Sequence, residues 1–79
     1  MTRRDLMKDK TIDCLKLCSM PYGGVRDKFQ EEICAKYSTK AVRAKLEELK
    51  RKGYIESGVS VFGAWLTEKG KATLHNLTA

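Results

Sequence analysis

Seven cations, Lys36, Lys40, Arg43, Lys45, Lys50, Arg51 and Lys52, stand within seventeen residues, accompanied only by the acids Glu47 and Glu48. Five of the chain's six net positive charges therefore lie between Lys36 and Lys52. Ammonium and guanidinium groups at this density neutralise phosphates and release their counterions, so the pattern suits a polyanion such as nucleic acid.

Three thiols offer a different chemistry. Cys14 and Cys18 are one helical turn apart, and Cys34 lies on the next predicted helix, a disposition that a thiolate metal or redox sensor would use. Both Cys14 and Cys18 fall on an apolar stripe, where free cysteine behaves as a small hydrophobe, and no fourth ligand accompanies them. Neither metal nor other cofactor is expected, and an odd cysteine count argues against a disulfide framework. His75 has no serine or cysteine partner at a spacing that suits nucleophilic catalysis. Tyr22-Gly23-Gly24 lacks the preceding strand and following GK[ST] of a phosphate loop. The chain is expected to bind rather than to catalyse.

The elements that must position the cations follow from periodicity. Seventy-nine residues fill one small domain, 1–79, that buries only about 60% of its unfolded surface. From Arg4 to Ser19, Met7, Ile12, Cys14, Leu15 and Cys18 recur at helical spacing, with Leu6 and Leu17 beside the stripe. Pro21 and Gly23-Gly24 end this helix. Val25, Phe29, Ile33 and Tyr37 predict a second helix, from about Val25 to Lys36, with these four on its inward side. Ser38 or Thr39 caps a third, about 39–52, with Val42, Leu46 and Leu49 inward and Gly53 at its end. Tyr54 to Thr67 is β-prone and predicts a two-stranded hairpin, strands near Tyr54 to Ser57 and Ala64 to Thr67, with Ile55, Ala64, Trp65 and Leu66 sealing it onto the helices. Thr67 caps a short last helix, Glu68 to about Leu77.

The run from Ser38 to Leu74 resembles the winged helix-turn-helix regulators of the MarR, PadR and ArsR type. Leu46, Leu49, Gly53, Tyr54 and Ile55 match the phrase with which a basic helix in that superfamily ends, and Leu66, Thr67, Gly70 and Leu74 match the one that opens the helix after the wing. The resemblance implies an α+β fold, mainly α: three helices, a two-stranded β-hairpin wing and a short C-terminal helix. It also implies a transcriptional regulator on double-stranded DNA, dimeric as related regulators are.

With Val42, Leu46 and Leu49 inward, Thr39, Lys40, Arg43 and Ala44 become the candidates for base edges in the major groove. Lys36, Lys45, Lys50, Arg51 and Lys52 are the candidates for phosphate contact. Leu6, Leu17, Leu74 and Leu77 face either a homodimer partner or the core. Tyr54 to Thr67 contains no cation, so a tip of Val59, Ser60, Val61 and Phe62 suits a protein partner or a wedge between bases, unless Val61 or Phe62 turns into the core. The rival function is accordingly a winged helix used as a protein-interaction module. The N-terminal segment has neither a signal-peptide apolar run nor a span of about 20 apolar residues, so a cytoplasmic protein that does not engage membranes is expected.

Overall fold

The computed structural model describes residues 9–78, which adopt a mainly helical α+β fold with one small two-stranded antiparallel sheet. Helix α1 (Asp9–Ser19) is followed by α2 (Gly24–Tyr37), α3 (Thr39–Arg51), β1 (Ile55–Glu56), a 3-10 turn (Val61–Gly63), β2 (Trp65–Leu66) and α4 (Glu68–Thr78). Leu6 and Met7 of the predicted first helix lie outside the described residues. No helix among the described residues is long and apolar enough to cross a membrane.

Helix α1 packs against α2, α3, β2 and α4, so it is covered on more than one side. Leu15 and Cys14 are consequently fully buried, and so is Leu17. This removes Leu17 from the candidate dimer surface: its methyl groups already face the core.

Helix α2 keeps Phe29, Ile33 and Tyr37 of the predicted stripe on its inward side and departs from it only at its start. Val25 is exposed, and Arg26 takes the inward position with Phe29 and Ile33. Spacings of three and four from Phe29 are equally helical, and Arg26 takes the inward place because its guanidinium finds the Phe62 and Ala64 carbonyls there.

Between α2 and α3 stands Ser38, with φ 89° and ψ 148°. Its N–H donates to the Cys34 carbonyl (2.9 Å) and its hydroxyl accepts from Ala41 N–H (3.1 Å), so one residue closes α2 and caps α3. A non-glycine residue in this region is strained by about 1–3 kcal/mol, whereas serine to glycine at an N-cap loses only a few tenths. Ser38→Gly is expected to stabilise the fold by about 1 kcal/mol, read as a higher urea midpoint; Ser38→Ala, which keeps the strain and loses the cap, should lower it.

Helix α3 ends in a Schellman motif. Gly53, at φ 86°, donates to Lys50 and Tyr54 donates to Leu49, which turns the chain sharply into the hairpin. Ile55 pairs with Leu66 and Glu56 with Trp65, and Thr67 N–H adds one more rung to the Tyr54 carbonyl. Both strands fall within the predicted segments, but they are two residues long rather than four, and Val61–Gly63 between them coils into a 3-10 turn capped by the Ser60 hydroxyl.

Strand pairing places Trp65 on the outer face with Glu56, opposite the inward Ile55 and Ala64, so it is 45% exposed and does not seal the hairpin. Val61 and Phe62 pack partly buried against the core, leaving Val59 as the one fully exposed apolar residue of the tip.

Candidate nucleic-acid interface

Three residues, Val42, Leu46 and Leu49, bury one side of α3, and everything opposite them reaches solvent. Thr39, Lys40, Arg43, Ala44, Glu47, Lys50 and Arg51 are exposed, followed by Lys52 just past the helix. Among the described residues none of Lys40, Arg43, Lys50, Arg51 or Lys52 forms an ion pair. The side chains that would meet a polyanion are therefore not already neutralised by the protein.

Two of the predicted cations are placed elsewhere. Lys45 is only 13% exposed in its side chain and donates to the Glu48 carboxylate at 3.1 Å, so it lies on the flank of α3 and does not join the outward row. That pair also removes Glu48 from the outer face, where Glu47 remains the single acid. Lys36 leans over the Tyr37 ring (5.0 Å) and towards Asp13 of α1 (3.9 Å), and its ammonium pKa is raised, first by the Tyr37 hydroxyl. Tyr37 in turn donates to Asp13 at 2.7 Å, with its phenol pKa raised by burial and then by that hydrogen bond. Lys36 thus belongs to the α1–α2 seam.

A groove of about 360 Å³ separates the outer face of α3 from the hairpin, lined by Arg43, Glu47, Lys50, Gly58, Val59 and Val61 among others. The Arg43 guanidinium stacks over the Phe62 ring at 5.6 Å, which orders a long side chain before any ligand arrives. Phe62 therefore serves the α3 face rather than an exposed tip. Lys69, which the sequence pattern did not single out, reaches back from α4 to the Lys52 carbonyl (3.1 Å) and over the Tyr54 ring (4.4 Å), adding a cation near the C-terminal end of the row.

No family model matches this sequence, and no curated protein or solved structure resembles it closely enough to be reported as similar.

The thiols have a different character. Burial pushes Cys14 up to about 12 from the ordinary 9.0, with Cys18 and Asp13 adding to it, and burial pushes Cys18 up to about 11 against a lowering by Arg26. Because the folded-state values are raised, the neutral thiols contribute stability below pH 9.0 that is lost as pH rises through about 11 and 12. Native protein at about pH 8 is expected to react quickly with Ellman's reagent at one thiol, the partly buried Cys34, and slowly at Cys14 and Cys18. Three fast thiols would contradict this placement.

Proposed function

We propose that the chain is a winged-helix transcriptional regulator that lays the exposed face of α3 in the major groove of double-stranded DNA and acts by occupying its site, without chemistry. The observation that carries the reading is the row Lys40, Arg43, Lys50, Arg51 and Lys52, exposed and without acid partners among the described residues, on a helix anchored by three apolar residues from its other side. The order of helices, the capped turn at Ser38 and the hairpin after Gly53 support the resemblance of Ser38 to Leu74 to winged helices. Thr39, Lys40, Arg43 and Ala44 at the N-terminal half read base edges, and Lys50, Arg51 and Lys52 hold phosphates. The hairpin, short and without cations, buttresses Arg43 through Phe62 and leaves base reading to α3.

The test is selection of bound duplexes from a random pool, followed by gel shifts across salt. If each chain neutralises about five phosphates, log K falls against log salt with a slope near −4.5. Arg43→Ala should lose about 1–3 kcal/mol and relax sequence preference, whereas Lys52→Ala should weaken all sequences alike. Absence of retention even at about 50 mM salt would refute the reading. Leu74 and Leu77 of α4 pack partly buried against the core, so a second copy would meet only the part of them left exposed. Pairing there would set two α3 helices about 34 Å apart and yield a palindromic consensus.

A further inference from the structure

A second groove, of about 450 Å³, shares no lining residue with the α3 face. It runs between the α1–α2 connection, β2 and the first turns of α4. Its walls are Pro21, Tyr22 and Trp65, its interior includes Met20 and Leu66, and Arg26 and Lys71 supply its charge. Tyr22 and Trp65 are 68% and 45% exposed, a high degree for aromatic side chains that the fold does not need for its core.

The Tyr22 wall is set in place beforehand. The Tyr22 hydroxyl donates to the Gly63 carbonyl, and the Arg26 guanidinium stacks on the Tyr22 ring at 4.7 Å. The backbone of Trp65 is held by its pairing with Glu56, which directs the indole to the outer face. Rigid aromatic surface loses little entropy on binding.

The charge is one-sided. No acid lines the groove. Arg26 is 3% exposed, bonded only to carbonyl oxygens and without an ion pair among the described residues, so it lends the groove the field of a positive charge from beneath rather than a contact. Lys71 meets only Glu68 at 3.7 Å, with both side chains largely in solvent, and Glu56 lies across the strand from Trp65. Nine residues line the groove, against about 20–30 on each side of a stable protein–protein interface, so the occupant is a short segment rather than a folded surface.

We propose that this groove docks an acidic linear peptide segment of another protein, which sets an apolar side chain between Tyr22 and Trp65 and a carboxylate on the exposed Lys71, within the field of the buried Arg26. A chain bound to DNA through α3 would keep this groove free for its partner.

The experiment is selection from a random linear-peptide display pool on the full chain. Enriched sequences should carry an apolar residue flanked by Asp or Glu. Because Trp65 is the only tryptophan, their binding should shift the intrinsic fluorescence directly. By polarisation of a labelled enriched peptide, Lys71→Glu, at an exposed helical position, should weaken binding about tenfold; Trp65→Ala, shown folded by circular dichroism, should abolish it. No enrichment, an enriched consensus without acids, or equal binding by both variants would overturn the proposal. So would sedimentation showing a dimer that Trp65→Ala disperses, which would give the groove to a second copy. Repeating the selection on Arg43→Ala separates the two readings, since loss of DNA binding there leaves the peptide result unchanged.

Discussion

Replacing Arg26 by methionine is expected to destabilise the protein by about 3–5 kcal/mol. The side chain is 3% exposed, and its two terminal nitrogens donate to the carbonyls of Met20 (3.0 Å), Phe62 (2.9 Å) and Ala64 (2.7 Å). Methionine fills a similar volume but leaves these acceptors without their donor, and hydrogen bonds from a charged donor are worth about 1.5–3 kcal/mol each. A chain of this length is held by only about 4–12 kcal/mol in total, so the variant should unfold at much lower urea or fail to fold. Lysine cannot replace arginine here, because a point charge on one stem cannot reach the α1–α2 connection and the hairpin together. A midpoint unchanged in Arg26→Met would show that these bonds do not hold the two elements together.

Gly70→Ala should also destabilise strongly, and its sign is the informative part. On an ordinary helix, alanine would be favoured over glycine by about 1 kcal/mol. At Gly70 an added Cβ would fall on the Tyr54 carbonyl oxygen, well inside van der Waals contact, and 3.1 Å from Cδ2 of Leu66. The backbone of Tyr54 cannot move aside, since its N–H completes the α3 cap and its carbonyl accepts from Thr67. The Thr67 hydroxyl, bonded to both Gly53 (2.7 Å) and the Gly70 N–H (3.1 Å), ties the same ends together. We expect a loss of about 3 kcal/mol or more, beyond the usual overpacking range because backbone, not a side chain, is struck. A urea midpoint at or above that of the unaltered chain would exclude this close approach.

The α3 helix was legible in the sequence because its signals are local: a three-residue apolar stripe, Ser38 before it and Gly53 after it. The hairpin's place in the chain was legible for the same reason, since Gly58 and Gly63 bracket its tip, whereas the inward turn of Val61 and Phe62 stood only as the alternative to an exposed tip. What escaped depends on distant partners. Arg26 resembles any solvated helical cation until the carbonyls of Phe62 and Ala64 are seen beside it. Without that information, Val25 was the better apolar choice. Trp65 was expected to face inward on hydrophobicity alone, although alternation along Ala64, Trp65 and Leu66 must turn the middle residue away from its two neighbours. Leu17, beside the main stripe, indicated a second neighbour for its helix, but periodicity does not tell whether that neighbour is the core or another copy; its full burial gives it to the core. The cations of α3 were located by pattern, but the diversion of Lys45 to Glu48 and Lys36 to Asp13 required the geometry of whole helices.

The three-carbonyl clamp on Arg26 also couples the opening of the hairpin to that of the helices. If the hairpin lifts away, the carbonyls of residues 62 and 64 leave with it and the guanidinium keeps only Met20. A charge left short of acceptors draws water inward, so fraying that begins at the hairpin spreads to α2 and the two protect their amides from exchange as one cooperative unit.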